Sequence, residues 1–401
     1  MRELLAQRTF VGYWAGVVFS EIGTRATLAA NLYLVYRLTG SLATTGLVGL
    51  VQGLAVVILG PVAGVVADRR DRRHLLQAAQ GGALICAAAL AWLTLSGRVT
   101  AGAVVGLACL TAVASTFDTP TRNALVANLV PRDRLAAAVA LLNPSREIAV
   151  LVGPGLAGLL IAWGGAGFVY TFDACTYAAM IVVLALLRRL VTEQVKATAP
   201  LPKAILDAVR FVAGRPLIWL LMSLDLTAMV FGAYRVLLPA LATDVLAVGP
   251  AGYGLLAAAP SAGALIVAYG VVRVVSRGRR LGLVLLTATL SYGLVDIVLA
   301  QSRWFGLTVA AAVGLGMADA MATAIRHAAV QLVTPDELRG RVNALYLMTA
   351  KGGPPLGDAL IGGVASLVGL TVALTAGGCV TIAYALGLLL RPNVVREYAA
   401  A

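Results

Sequence analysis

A chain of 401 residues with 60% hydrophobic and only 12% charged side chains cannot cover a soluble surface, since soluble domains average roughly 45–50% apolar and about 25% charged. With a mean hydropathy of +0.91, most of it has lipid as its solvent, which excludes a soluble globular protein. The net charge of +13 sits in short clusters between apolar runs, where it directs membrane topology and not nucleic-acid binding.

Crossing a ~30 Å hydrocarbon layer takes about 20 helical residues at 1.5 Å each. Six runs of that length fall near residues 10–36, 44–67, 75–96, 101–127, 135–162 and 166–187. Six more follow near 216–242, 252–274, 281–300, 304–330, 341–366 and 369–390. Isolated Gly and Pro within them are tolerated, because neighbouring helices can satisfy the freed backbone groups. Met1–Arg8 leads into a run far too long for the core of a cleavable signal peptide.

In the first run Glu21 and Arg25 lie one turn apart on one face, spaced for an ion pair, and Asn31 follows. Between runs two and three stands Gly64-Val65-Val66-Ala67-Asp68-Arg69-Arg70-Asp71-Arg72-Arg73, in which Asp68 precedes a dense arginine cluster. Run four carries Asp118 and Arg122, and run five carries Arg146 and Glu147 ahead of Gly153-Pro154-Gly155-x-x-Gly158. Small residues there let helices approach closely, and proline permits a bend. Val191–Arg215 is the one long connection, polar at first and amphipathic over Ile205–Val212, as expected of a linker on the membrane surface. It divides the chain into an N-terminal bundle (1–190), a linker (191–215) and a C-terminal bundle (216–401). Asp225 and Arg235 lie in run seven and Lys351 in run eleven.

Basic residues collect in alternating loops, from Arg2 and Arg8 through Arg69–Arg73, Arg132, Arg134 and Arg339 to Arg391 and Arg396, against Arg37, Arg98 and Arg303 opposite. By the positive-inside rule both termini are expected in the cytoplasm. Cys86, Cys109, Cys175 and Cys379 lie inside apolar runs without metal-ligand spacing, the pattern of small buried side chains. There is no Walker loop, and His74 and His327 make neither a zinc spacing nor a Ser/His/Asp arrangement. The expectation is a transporter and not an enzyme, with no metal and no cofactor.

An offset of 204 residues relates the two halves: Pro131 falls on Pro335, Arg122 on Arg326, Gly153 on Gly357 and Gly158 on Gly362. The same shift carries Glu21 onto Asp225, Asn31 onto Arg235 and Glu147 onto Lys351. Both halves have the same expected orientation, so this is a parallel repeat. The fold expected is an all-α membrane protein of 12 transmembrane helices in two pseudo-symmetric six-helix bundles.

The motif Gly64-x-x-x-Asp68-Arg69-x-x-Arg72-Arg73 resembles the loop between helices 2 and 3 of the major facilitator superfamily. Within it, three stretches resemble the drug/proton antiporter branch that holds siderophore and macrolide exporters: Asp118-x-Pro120-x-Arg122-x-Ala124-Leu125, Tyr234 through Leu241, and Thr334 through Leu345. The glycine-proline element of run five is similar to one described for antiporters. The resemblance implies alternating access, with helices 1, 5, 7 and 11 facing a central cavity. It also implies that Asp68 bonds near the start of helix 11 as a gate, and that Arg72 or Arg73 meets Asp118 or another acid of helix 4. For Arg69 the alternatives are a gate residue or a topology anchor. The sequence departs from the branch at Gly23, which is followed by Thr24 where an acid is common, so Glu21 is the nearest coupling candidate.

Ions at mid-membrane are expensive unless paired or facing a water-filled cavity, so each is a functional candidate. The substrate and proton pathway candidates are Glu21, Arg25, Asn31, Arg146, Glu147, Asp225, Arg235 and Lys351. The gating candidates are Gly64, Asp68, Arg69, Arg72, Arg73 and Asp118. The alternative for Glu21 and Arg25 is a pair that only neutralises itself within the bundle. The expected activity is proton-driven efflux of a small amphipathic organic molecule by a monomer in a bacterial cytoplasmic membrane. An importer of a polar metabolite and a transport-inactive receptor remain as alternatives.

Overall fold

A computed structural model of the chain describes residues 8–187, 209–278 and 280–398. Its long helices are α1 (Arg8–Thr39), α2 (Leu42–Arg69), α3 (Arg72–Leu95), α4 (Ala101–Leu129), α5 (Leu135–Gly164) and α6 (Ala166–Leu186). They continue as α7 (Pro216–Phe231), α8 (Gly249–Arg277), α9 (Leu281–Gln301), α10 (Phe305–Val333), α11 (Asp336–Val368) and α12 (Leu370–Leu390). No strand occurs among the described residues. Among the described residues ten spans are long and apolar enough to cross a membrane. The other two, α1 and α11, are the longest helices, at 32 and 33 residues, but carry Glu21 and Arg25 in one and Lys351 and Asp358 in the other. The protein is a multi-pass membrane protein with the twelve-helix fold expected. The linker expectation over 191–215 falls mostly outside the described residues, and helix resumes at 209–213.

The 204-residue repeat is visible in the backbone. Gly165 ends α5 at φ +90° and Gly369 ends α11 at φ +87°, a left-handed turn that favours glycine. Their amides bond back to Ile161 O at 2.9 Å and Ala365 O at 3.0 Å, again one repeat apart. Helix contacts recur as well. A Cβ on Gly153 would lie 2.4 Å from the Cβ of Arg25, and one on Gly357 would lie 2.2 Å from Met229 O. So α5 meets α1 as α11 meets α7, each through a glycine that admits the neighbouring backbone.

The chain divides into two compact units. The first holds residues through Ser41, Val51–Ala197 and Val248–Ala258. There α1 packs on α5 and α6, and α3 packs on α4 and α6. The start of α8 joins this unit, where a Cβ on Gly158 would lie 2.6 Å from the Cα of Gly254 and Tyr253 Oη donates to Ala29 O at 2.8 Å. The second unit holds Leu42–Leu50, Thr198–Ala247 and residues from Ala259. There α9 packs on α10 and α12, and α7 on α11 and α12. The start of α2 belongs here, and a Cβ on Gly362 would lie 3.1 Å from the Cα of Gly46.

Run seven is not one helix. After Phe231 the chain passes Gly232 into a 3-10 turn at Arg235–Leu237, a short α turn, and a π turn at Leu241–Val245. Gly232 weakens the helix and Pro239 brings no amide to it, whereas the repeat places Leu28 and Val35 at those points of the unbroken α1.

Packing at these glycines predicts that Gly357→Val lowers the melting temperature of the detergent-purified protein, at a cost of about 1–3 kcal/mol for overpacking. Gly81→Ala, where a Cβ would meet nothing within 4 Å, should leave it unchanged or raise it.

Candidate transport site

Each unit has a buried arginine at its centre, and the repeat relates the two. In the first, Arg122 of α4 is 3% exposed and its Nε lies 2.5 Å from Asp118 Oδ2, one turn away. Its Nη2 donates to Ser20 Oγ of α1 at 3.1 Å, and its Nη1 lies 3.7 Å from Glu21 Oε2. Ser20 Oγ donates to Gln80 Oε1 of α3 at 3.3 Å, and Gln80 Nε2 donates to Asp118 Oδ1 at 2.6 Å. The result is a closed polar ring joining α1, α3 and α4. Glu21 Oε1 also accepts from Arg25 Nη2 at 2.8 Å and Nε at 3.1 Å, so the expected pair forms as one arm of a larger cluster.

In the second unit Arg326 of α10 is 1% exposed, and its Nη2 lies 2.5 Å from Asp225 Oδ1 of α7 and 3.8 Å from Asp319 Oδ1. Nη2 also donates to Thr323 Oγ1 at 2.8 Å. Gln80 and Ser20 have Val284 and Leu224 at the repeat positions, so the ring has no counterpart here.

A guanidinium out of water needs a carboxylate beside it, because desolvation is recovered only through close pairing and further hydrogen bonds. Glu21 and Asp225 supply this from a neighbouring helix at equivalent positions. The arrangement can tie α1 to α4 and α7 to α10, and a change of charge on either acid would loosen the tie.

Other expected site residues fall elsewhere. Asn31 is buried and accepts from Tyr170 Oη at 2.9 Å. Arg146 is half-buried and donates to Asn123 Oδ1 at 3.1 Å. Glu147 and Lys351 are exposed and enter neither cluster. Arg235, in the broken part of run seven, pairs with Asp358 of α11 at 2.8 Å.

At the arginine-rich loop one expectation is corrected. Arg72 Nη1 donates to Ala124 O at 3.2 Å and to Asn128 Oδ1, and Arg73 Nη2 donates to Ala185 O at 2.7 Å, so neither meets Asp118. Asp118 lies about three turns short of the end of α4 and pairs with Arg122, one turn on. Gly64 lies within α2, and a Cβ there would meet nothing within 4 Å. The side chains of Asp68 and Arg69 lie outside the description. The helix cap in this loop is Asp71, whose Oδ1 accepts from Arg73 N at 2.9 Å and His74 N at 3.1 Å, completing the first turn of α3.

Residues 3–400 match the family described as transmembrane secretion effector. The chain belongs to that family. It is 28% identical over 369 residues to the enterobactin exporter EntS of Salmonella paratyphi A, covering 91% of this chain and 87% of the relative. It is 28% identical over 348 residues to the exporter of that name from Shigella boydii, covering 86% and 82%. In fold it resembles the nucleoside transporter NupG, with a TM-score of 0.76 at 16% identity over 95% of this chain and 98% of that one. It resembles a D-xylose-proton symporter with a TM-score of 0.72 at 13% identity over 98% and 99%. The major facilitator membership read from the loop motif holds, and the protein is a membrane transporter.

For this member of the family, Arg122, Arg326, Gln80 and Ser20 are absent from the pathway residues inferred from sequence. The signal for the arginines was present, since they coincide under the repeat together with Glu21 and Asp225. Gln80 and Ser20 carry none.

Burial of the second pair makes a thermodynamic prediction. Asp225→Asn leaves Arg326 without its closest carboxylate and should cost about 3–5 kcal/mol. Adding Arg326→Gln should recover part of the loss in a double-mutant melting cycle. Additive losses would mean the two side chains are not coupled.

Proposed function

We propose that the protein exports a small amphipathic organic molecule of siderophore or drug type, driven by protons, from the cytoplasm of a bacterium. It acts as a monomer in the cytoplasmic membrane, with both termini inside. The observation that carries the export reading is the match to enterobactin exporters along nine-tenths of the chain. Orientation rests on the alternation of Arg-rich and Arg-poor loops.

Alternating access fits two features of the fold. The crossings Gly158–Gly254 and Gly46–Gly362 are bare backbone contacts at helix ends remote from the arginine-rich loops. Opening the first of them would also break the hydrogen bond from Tyr253 Oη to Ala29 O and part the Tyr33 and Tyr253 rings. The Glu21–Arg122 and Asp225–Arg326 pairs supply the coupling. Protonation of either acid cancels its charge and removes one carboxylate from its arginine, leaving Arg122 with Asp118 and Arg326 with Asp319.

Proteoliposomes loaded with enterobactin and given an imposed pH gradient test this directly. Efflux should follow the gradient in the wild type and collapse at least tenfold in Glu21→Gln. Undiminished pH-driven efflux in that variant would remove Glu21 from the proton path, and no gradient-driven movement of enterobactin, or of a macrolide probe, would contradict the export reading.

A further inference from the structure

The first unit encloses an acid that neither cluster above uses. Asp173 of α6 is 0% exposed, and its Oδ2 has no hydrogen-bond partner among the described residues. Two phenols on the same helix fix what faces it. Tyr177 Oη lies 2.9 Å from Thr24 Oγ1, and Tyr170 Oη donates to Asn31 Oδ1 at 2.9 Å. Helices α1 and α6 therefore run in opposite directions, in a register that sets Thr27 opposite Asp173. Gly23, one turn before Thr27, stands opposite Thr176, and a Cβ there would lie 2.4 Å from Thr176 Oγ1 and 2.5 Å from Asp173 Oδ1.

The second unit has the same register without the acid. The 204-residue shift carries Thr27 onto Phe231 and Asp173 onto Gly377, and a Cβ on Gly377 would lie 1.9 Å from Phe231 O. There a glycine lets the two helices close on each other. In the first unit a carboxylate occupies the equivalent place, so packing alone does not call for it.

Oxygen atoms gather at that carboxylate without satisfying it. Thr176 Oγ1 lies 3.3 Å from Asp173 Oδ1. Thr27 also bears on the carboxyl group, yet its buried hydroxyl has no hydrogen-bond partner of good geometry among the described residues. The helices packed on α6 are α1, α3 and α5, and none brings a cation here. Arg25 is committed to Glu21, Arg122 to Asp118 and Arg146 to Asn123. Arg8 and Arg37 lie at the ends of α1, and α3 carries no charge over Leu76–Leu95.

A carboxylate enclosed in a membrane bundle needs a positive charge beside it. A proton would satisfy one of these oxygens. A hard monovalent cation uses several oxygen ligands, and its single charge matches a single carboxylate. A divalent ion would leave surplus charge in the bundle, and no group of three or more His, Cys, Asp or Glu residues able to hold a metal occurs among the described residues. Oxygens drawn from two helices leave no His or Cys spacing for a sequence to show.

We propose that Asp173, Thr27 and Thr176 form a sodium site that clasps α1 to α6 within the first unit. The carboxylate and the two hydroxyl oxygens are the ligands, and the absence of a side chain at Gly23 leaves them uncovered. The site belongs to the bundle and not to the Glu21 or Asp225 clusters, so it stands or falls apart from the export reading.

Binding of radiolabelled sodium to the full chain, purified in detergent with N-methyl-D-glucamine as the only added cation, reads this without transport. One sodium should bind per chain, displaced by unlabelled sodium and not by N-methyl-D-glucamine at equal ionic strength. Because the ion favours the folded state, the melting temperature should rise with the logarithm of sodium concentration. Asp173→Asn and Thr27→Val should each abolish both effects. Valine matches threonine in shape and lacks only the hydroxyl, so Thr27→Val decides should Asp173→Asn not fold. Asp296→Asn removes a buried acid of the second unit and should leave both effects intact. No bound sodium in the wild type, or sodium stabilisation undiminished in Thr27→Val, overturns the site. Binding lost in Asp296→Asn as fully as in Asp173→Asn overturns its placement in the first unit.

Discussion

A guanidinium group held inside a membrane bundle by a carboxylate from the next helix is the constraint on which this structure depends. Neither partner is tolerable there alone, and together they fix where two helices can stand relative to each other. Arg122 with Glu21, and Arg326 with Asp225, do this one repeat apart. The glycines at 153 and 357 serve the same end, bringing α5 onto α1 and α11 onto α7 closely enough to enclose the charges.

The halves share this plan and differ in how completely it is satisfied. In the first unit Arg122 lies in a ring completed by Asp118, Gln80 and Ser20, and α1 runs unbroken past it. In the second, Val284 and Leu224 stand where the ring would close, the helix equivalent to α1 breaks at Gly232, and Asp296 has no partner among the described residues. The second unit therefore keeps less of this polar frame than the first. Both belong to a membrane transporter whose relatives include enterobactin exporters.

Much of this was legible from residue order. Twelve apolar runs mark twelve helices because bilayer thickness sets their length, and the 204-residue shift survives as glycine turns at 165 and 369. Glu21 and Asp225 stood out because charge is rare in such runs. Arg25 is visible as a partner of Glu21 from its spacing, but a hydropathy pattern does not show which acid Arg122 or Arg326 reaches. In the sequence Arg326 is a repeat landmark, and Arg122 is that and part of a family stretch. Gln80 and Ser20 look like any small polar residue until folding places α3 beside α4. The break in run seven was hidden because Gly and Pro are common in unbroken membrane helices. In the loop at 64–73 Asp71 caps its own α3, and the side chain of Asp68 lies outside the description.

The central claim is that these arginines work by the geometry of their pairs and not by charge alone. Lysine keeps the charge but lacks the planar fork that can meet two acids at once. On the proposed export reading, cargo efflux from proteoliposomes, compared between the wild type and folded Arg122→Lys and Arg326→Lys chains, tests it most directly. The account predicts folded proteins in which either substitution lowers efflux by an order of magnitude or more. Wild-type efflux in both would show that the arginines only neutralise buried acids, and would contradict it.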